Sequence, residues 1–198
     1  MTRLLLWRHG QTEWNADSRV QGQTDVGLSP AGIEQAESMA GRLATFQPDL
    51  IVSSDLSRAA DTAAALAALT GLDVVSDPRL RERHFGQWQG LRLTEIAERW
   101  PAEYASWRAG QPVAGLGVET IEDLAKRVSA ALQDVADRVP GGTAVVAMHG
   151  AAARHGCAAL LGWPDAVTRT LGALANCHWT ELRFDAVRGW QLWAHNAS

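Results

Sequence analysis

Short apolar runs and longer amphipathic stretches alternate along the chain. The apolar runs at residues 4–7, 50–52, 74–75 and 144–148 are short enough to be buried parallel strands. The stretches between them repeat apolar residues every three or four positions, which predicts helices with one buried face. Strands that alternate with helices predict an α/β protein with a mainly parallel sheet.

Two helices have clear start signals. Ser29 followed by Pro30 is typical of an N-cap and a first helical position. Thr120, with Asp123 three residues later, predicts the start of a long helix that ends at residues 140–142, a Pro-Gly-Gly sequence. The helix after Ser29 is predicted to bury an apolar face made of Ile33, Ala36, Met39, Ala40 and Leu43.

Three regions depart from the strand–helix alternation. Residues 80–117 combine tryptophans with glycines and prolines, and we expect a small helical cap insert there. Residues 15–27 are polar and predict a loop over the site. Residues 179–184 and 190–194 predict a hairpin at the sheet edge. The whole pattern predicts one domain, residues 1–198, folded as a three-layer α/β/α sandwich.

Composition narrows the classes of function. The 198 residues are 46% hydrophobic and 20% charged, which is typical of one globular domain. A net charge of −4 argues against a nucleic-acid partner, although converging arginines could still bind an anionic substrate. Cys157 and Cys177 are too few for a disulfide framework and are expected in the core. Without a signal sequence or a membrane-spanning run, we expect a cytoplasmic protein with no membrane partner.

The candidate chemistry lies where two apolar runs end in a histidine. The first run ends in Arg8, His9 and Gly10, and the run at residues 144–148 ends in His149. Parallel strands end at the same edge of a sheet, so we expect both imidazoles to meet there, with Arg58 from the loop after the second strand. Two histidines and two arginines suit a phosphoryl group, because the arginine fork binds phosphate oxygens in pairs.

Several short motifs occur in order along the chain. They are Arg8-His9-Gly10 with Thr12-x-Trp14-Asn15, Gly22-x-x-Asp25-x-x-Leu28-Ser29, Ser53-Ser54-Asp55-Leu56-x-Arg58-Ala59, Leu80-x-Glu82 and His149-Gly150. As a set, they resemble the histidine phosphatase (phosphoglycerate mutase-like) superfamily over nearly the whole chain. The resemblance implies an enzyme that acts on a small phosphate monoester and needs neither a metal nor a cofactor.

The resemblance also implies roles for individual residues. His9 would be the nucleophile that forms a phosphohistidine, and it should be neutral, with one ring nitrogen held by a backbone carbonyl. Glu82 would be the general acid and then the general base, and we expect its carboxyl group to be partly desolvated. The phosphoryl oxygens would be bound by Arg8, Arg58 and His149. Further substrate contacts are predicted for Asn15, Gln21, Gly22, Arg83 and Gly150.

Phosphatases and cofactor-dependent phosphoglycerate mutases both occur in this superfamily. Residues 80–86 resemble the mutases well. However, Leu93 stands where the mutases usually have a carboxylate-binding lysine, and Gln21 where they have serine or threonine. Residues 107–110 lack their paired arginines, and Gly-x-Trp-x-Gly at residues 86–90 is typical of phosphatases. These differences favour a phosphatase, with a mutase or a broad-specificity phosphatase as the alternatives.

A narrower resemblance concerns the substrate. Residues 20–25, 86–91, 176–182 and 196–198 resemble the actinobacterial glucosyl-3-phosphoglycerate phosphatases, which implies a phosphorylated sugar or glycerate as substrate. The usual Gly-Gly-Glu-Ser is degraded at residues 115–120, so the substrate stays open. A protein that kept the fold only as a binding module would be expected to have lost one of the five catalytic candidates, and all are present. A homodimer through the edge strand stays open as well.

Other polar residues near these motifs have less specific interpretations. Arg154 and His155 follow His149 along a predicted helix and are expected to be surface or salt-bridge residues. His178 is expected to be structural. The tryptophans are expected mainly in packing, with Trp88 as a candidate to brace the segment of Glu82.

Overall fold

The computed structural model describes residues 1–198 and contains one six-stranded sheet. The strands are β1 (Thr2–Arg8), β2 (Leu50–Ser53), β3 (Val74–Ser76), β4 (Thr143–Met148), β5 (Trp179–Asp185) and β6 (Gly189–Ala197). Their order across the sheet is β3-β2-β4-β1-β5-β6. The first four strands are parallel to one another, while β5 is antiparallel to both β1 and β6. The predicted mainly parallel sheet with an edge hairpin is therefore confirmed.

Helices cover both faces of this sheet. They are α1 (Glu13–Ala16), α2 (Pro30–Ala44), α3 (Ser57–Thr70), α4 (Leu93–Arg99), α5 (Pro101–Arg108), α6 (Ile121–Arg138), α7 (Gly150–Leu160) and α8 (Asp165–Thr168). Along β1, Leu4 and Leu6 pack with α6 and α7, whereas Leu5 and Trp7 pack with α2 and α3 on the other face. Successive side chains of a strand point to opposite faces, so a strand buried on both sides is apolar throughout.

The predicted helix starts are confirmed, but one position of the predicted apolar face is not. Ser29 Oγ accepts the Gly32 N–H at 3.1 Å, and Thr120 Oγ1 accepts the Asp123 N–H at 3.0 Å. Ile33 is 48% exposed, which corrects the expectation that it belongs to the core. It lies at the rim of a groove between α2 and α3, where the facing residues Ala64, Ala65 and Ala68 are too small to cover it.

The part of the chain between β3 and α6 has a hydrophobic cluster of its own. It contains two 3₁₀ helices, Pro78–Leu80 and Gly86–Trp88, followed by α4 and α5. Trp88 is fully buried there and packs with Ile96, Val113 and Val118. We refer to residues 80–117 as the insert.

Three local features differ from the sequence-based expectations. The loop predicted at residues 15–27 begins inside α1, where Thr12 and Asn15 form a capping box. The short helix α8 carries no recognisable periodic signal. Trp193 is 55% exposed rather than packed. No helix of the structure is both long enough and apolar enough to cross a membrane.

Candidate active site

The candidate nucleophile lies where β1 and β4 end side by side. Arg8 is in register with Met148, and the His9 N–H donates to the Met148 carbonyl at 3.0 Å. The next residue of each strand is a histidine, and the ring centroids of His9 and His149 are 5.2 Å apart. Both side chains are buried. The predicted meeting of the two imidazoles at one sheet edge is therefore confirmed.

The contacts of His9 define its tautomer. Its Nδ1 is 2.7 Å from the carbonyl oxygen of Gly10. A carbonyl can only accept a hydrogen bond, so the proton is on Nδ1 and Nε2 keeps its lone pair. Burial, together with the nearby charges of Arg58 and Arg8, lowers the pKa of His9 well below its ordinary value. The ring is consequently neutral at physiological pH, as expected for a nucleophile.

His149 is held by a serine from the neighbouring strand end. Its Nε2 is 2.9 Å from Ser54 Oγ, in the turn that follows β2. Burial and the charge of Arg58 lower the pKa of His149 well below its usual range. Its Nδ1 is buried and has no hydrogen-bond partner in the protein. This ring therefore offers one polar atom to a ligand.

Arg58 is completely buried in the first turn of α3. Its two terminal nitrogens donate to the carbonyls of Thr24 at 2.9 Å and Gly22 at 2.7 Å. Burial lowers the pKa of Arg58 to about 10, so the guanidinium is still charged at neutral pH. The hydroxyl of Thr62 donates to the Arg58 carbonyl at 2.7 Å and accepts the Gly10 N–H at 3.0 Å. One threonine thus ties the arginine's helix turn to the turn after His9.

Unpartnered polar atoms concentrate around these residues. Arg8 donates from Nη1 to the Leu174 carbonyl at 2.6 Å, while its Nε has no partner. In the whole protein, six buried side-chain nitrogen or oxygen atoms lack a hydrogen-bond partner, and three of them belong to Arg8, Arg58 and His149. Unpaired buried polar groups cost free energy, so such a concentration indicates a ligand site.

The Glu82 carboxylate caps the N-terminus of α7. One oxygen accepts the N–H groups of Arg83 at 2.8 Å and Ala152 at 3.0 Å, and the other accepts the Ala151 N–H at 3.1 Å. The side chain is half-buried, in agreement with the expected partial desolvation. Helix N-termini favour negative charge. Because Gly150 begins the same helix, a bound anion and Glu82 would share this positive end.

The backbone around Glu82 is held by Arg127 of α6. Its guanidinium donates to the carbonyls of Arg79 and Arg81 at 2.7 Å each and of Glu82 at 2.9 Å. It also pairs with both carboxylate oxygens of Glu119, at 2.7 Å and 2.9 Å. Burial alone would raise the pKa of Glu119, but hydrogen bonds from Arg127 and the His84 N–H hold it below its usual value. Arg127 therefore positions Glu82 without belonging to any of the motifs.

Asn15 is connected to the His9 backbone through Asn176. Its Oδ1 accepts the Thr12 N–H at 3.1 Å and lies 3.3 Å from Asn176 Nδ2, so its own NH₂ group is the part left for a ligand. Asn176 also donates to the His9 carbonyl at 2.9 Å. Gln21 Oε1 accepts the Thr12 hydroxyl at 3.0 Å. The contacts of Gln21 and Gly22 are thus with Thr12 and Arg58, and their binding of substrate stays a prediction.

Two adjoining cavities open beside Glu82. The inner cavity, about 250 Å³, is lined by Arg8, Glu82 and Gly150 among others. The outer cavity, about 330 Å³, is lined on the insert side by Phe85 and Trp107. Ala151, Arg154 and His155 line both. Arg83, a predicted substrate contact, is buried at the outer cavity, where its Nε donates to the Glu119 carbonyl at 2.8 Å.

Other interpretations of polar residues have clear outcomes. His178 Nδ1 lies 3.0 Å from the Asn196 carbonyl, as expected of a structural residue. Both cysteines are buried, and burial raises the pKa of each thiol to about 12. Arg154 is half-buried and forms no ion pair, which corrects the expectation of a salt-bridge residue.

The sequence-based reasoning missed the residues that position the site. Ser54, Thr62, Asn176 and Arg127 each hold a predicted catalytic residue or its backbone. Ser54 and Asn176 occur in segments that the resemblance had marked. Thr62 and Arg127 lie on helices, and nothing in their sequence spacing distinguishes them from other polar residues of those helices.

The fold and this cluster of histidines and arginines define an α/β protein of the phosphatase class. The family model of the histidine phosphatase superfamily (branch 1) matches residues 4–198. The chain therefore belongs to the histidine phosphatase superfamily, and the prediction of a phosphatase of this superfamily is confirmed.

Individual relatives cover the whole chain. It is 41% identical over 213 residues to a glucosyl-3-phosphoglycerate phosphatase of Mycolicibacterium vanbaalenii, which covers 99% of this chain and 95% of the relative. A solved structure of a mycobacterial glucosyl-3-phosphoglycerate phosphatase complexed with VO3 has a TM-score of 0.91 at 41% identity, covering 99% of both chains. A phosphoserine phosphatase of Entamoeba histolytica, solved with 3-phosphoglyceric acid, has a TM-score of 0.88 at 30% identity and covers 100% of this chain and 98% of that one.

Proposed function

We propose that this phosphatase hydrolyses glucosyl-3-phosphoglycerate through a phosphohistidine on His9. The observation that carries the mechanism is the group of buried, unpartnered nitrogens on Arg8, Arg58 and His149 beside a neutral His9. With the Ser54 hydroxyl donating to Nε2 of His149, Nδ1 carries the proton, and the three nitrogens can donate to the equatorial oxygens of a phosphoryl group, where charge spreads in the transition state. The substrate is proposed from the 41% identical relatives that carry this name.

In the first step, His9 Nε2 attacks phosphorus with its lone pair, and the bond from phosphorus to the ester oxygen breaks. The Nδ1–H bond to the Gly10 carbonyl supports the ring as it gains positive charge. Glu82 acts as the general acid and gives a proton to the departing alkoxide. The products of the step are the free alcohol and the phosphohistidine.

In the second step, water attacks the phosphohistidine. Glu82, now a carboxylate, takes a proton from that water, and the phosphorus–nitrogen bond breaks to return neutral His9 and inorganic phosphate. The electrons of the broken bond return to Nε2, so the step consumes no oxidant or reductant. Asn15 and the Gly150 N–H are proposed as further donors to the phosphoryl oxygens.

The test measures phosphate release from glucosyl-3-phosphoglycerate and from 3-phosphoglycerate at matched concentrations. The formation of 2-phosphoglycerate is followed in the same tubes, with the H9A variant as the control. Release from the glucosylated ester with kcat/KM of about 10⁴ M⁻¹s⁻¹ or above would support the proposal. Isomer exchange without phosphate release would make the chain a mutase, and slow release from both esters would refute the proposed substrate.

A further inference from the structure

We propose that Arg154 binds a carboxylate of the leaving alcohol, so that the enzyme selects phosphate esters of hydroxy acids. The inference deepens the proposed function and rests on it, because the carboxylate belongs to the part of the substrate that leaves from His9. It assigns a specificity-determining role to a residue that lies outside the motifs of the superfamily.

The position of Arg154 connects the two cavities. It lies on α7 four residues after Gly150, and residues at this spacing share one face of a helix. The inner cavity places it with Arg8 and Glu82, next to the proposed phosphoryl site. The outer cavity extends from it toward Trp107 of the insert. A group that is attached to the ester oxygen would therefore pass Arg154 on its way into the outer cavity.

The charges of the outer cavity are unbalanced. Its lining contains four arginines but only one acid, Asp165. That acid is already paired with Arg169, whose guanidinium lies 2.6 Å from the carboxylate. Arg83 has its Nε bonded to the Glu119 carbonyl at 2.8 Å. Arg108 is exposed to solvent. Arg154 is the half-buried arginine of the four that forms neither an ion pair nor a side-chain hydrogen bond, and an anion from the substrate would give it a partner.

The neighbour of Arg154 is consistent with this positive field. His155 lines both cavities, and burial together with Arg154 and Arg83 lowers its pKa to about 4. The imidazole is thus neutral at pH 7, so His155 does not compete with Arg154 as a cation for the carboxylate. The one acid of the outer cavity, Asp165, is already paired with Arg169, so the arginine-rich lining favours a carboxylate over an ammonium group. This distinguishes a hydroxy acid from an amino acid such as serine.

The size of the outer cavity suits more than a carboxylate. Its volume of about 330 Å³ lies at the lower end of small-ligand sites, about 300–1,000 Å³. Phe85 and Trp107 supply the aromatic part of the lining, and the Arg83 guanidinium lies over the Phe85 ring, 5.4 Å from its centroid. The indole of Trp107 is fixed edge-on against Trp88, with ring centroids 6.0 Å apart. A hydroxy acid with a further ring-shaped substituent could therefore place its carboxylate against the arginines and its ring against Phe85 and Trp107.

The experiment compares 3-phosphoglycerate with glycerol 3-phosphate, which has the same ester but a hydroxymethyl group instead of the carboxylate. O-Phosphoserine adds the ammonium group, and p-nitrophenyl phosphate reports the phosphoryl chemistry alone. In the wild type we expect kcat/KM to fall in the order 3-phosphoglycerate, O-phosphoserine, glycerol 3-phosphate. In R154Q, kcat/KM for 3-phosphoglycerate should drop about 10- to 100-fold, mostly through KM, as for the loss of one charged hydrogen bond.

The controls separate this role from a structural one. R188Q removes an exposed arginine outside both cavities and should match the wild type. R154K keeps the charge and should recover part of the loss. On the two esters without a carboxylate, the effect of R154Q should be at least about tenfold smaller than on 3-phosphoglycerate. An equal loss on all the esters, or no loss on 3-phosphoglycerate, would overturn the proposal. A wild type that releases phosphate neither from these esters nor from glucosyl-3-phosphoglycerate would instead refute the proposed function.

Discussion

Replacing Arg127 with methionine would remove the guanidinium that ties the segment around Glu82 to α6. Five hydrogen bonds would be lost, three to backbone carbonyls and two to Glu119. The Arg127 and Glu119 side chains are 21% and 14% exposed, so the orphaned carboxylate would stay mainly buried. Breaking a fully buried pair from one side costs about 3–5 kcal/mol, and partial exposure reduces the expected loss of unfolding free energy to about 2–4 kcal/mol.

A double-mutant cycle separates the ion pair from the backbone contacts. R127M, E119Q and the double variant are unfolded with urea at pH 7, and the coupling free energy is expected to be about 1–3 kcal/mol. The low pKa of Glu119 in the folded state gives the sign of the pH dependence. Its contribution is complete above the unfolded pKa and is lost as pH falls through the folded value, so E119Q and the wild type should converge in acid.

The same variant tests whether Arg127 positions the general acid. Arg127 lines neither cavity, so R127M should leave KM nearly unchanged. A displaced Glu82 should lower kcat by about 10- to 100-fold on glycerol 3-phosphate, whose alkoxide needs a proton, and by less on p-nitrophenyl phosphate. Equal losses of kcat on both esters, or a urea midpoint identical to that of the wild type, would refute the reasoning.

Four further predictions concern single residues. H9A should abolish phosphate release, and turnover above background in the purified variant would contradict a phosphohistidine. E82Q should lower the steady-state rate of glycerol 3-phosphate hydrolysis by about 10²- to 10⁴-fold, and that of p-nitrophenyl phosphate hydrolysis far less. Because the pKa of His9 is lowered, kcat/KM on p-nitrophenyl phosphate should persist below pH 6.5 and fall only as pH drops through that lowered value. G32A would place a Cβ 2.0 Å from the Gln11 carbonyl oxygen and should cost about 1–3 kcal/mol of stability in thermal unfolding.

The hydrophobic pattern of the sequence was sufficient to predict the sheet and the edge at which His9 and His149 lie. Every predicted strand exists. The runs of β1 and β4 gave the clearest signal, because they are apolar and buried on both faces. His9 and His149 could be placed together because each directly follows such a run. The helices α1 and α8 were not predicted, since four residues are too few for a periodic pattern.

The residues that position the site could not be found in the same way. Ser54 and His149 are 95 positions apart, and Asn176 bonds to a residue 167 positions away. Arg127 donates to the carbonyls of Arg79, Arg81 and Glu82. The sequence alone does not show which long polar side chain of α6 reaches these carbonyls. Contacts of this kind depend on how strands and helices pack, and no local pattern of residue types encodes that packing. The absence of an ion pair at Arg154 could not be predicted for the same reason.

The proposed phosphate-binding residues and one half of the lining of the outer cavity come from different parts of the fold. The proposed phosphate-binding residues Arg8, Arg58 and His149 come from the ends of sheet strands or the helix turn that follows. The insert provides Phe85 and Trp107 and has its own hydrophobic cluster around Trp88. Apart from Glu82 and Arg83 at its start, which belong to the catalytic machinery, the insert can therefore be varied in protein engineering. Libraries confined to the cavity-facing positions of the insert would sample new leaving groups while the groups that transfer phosphate keep their packing.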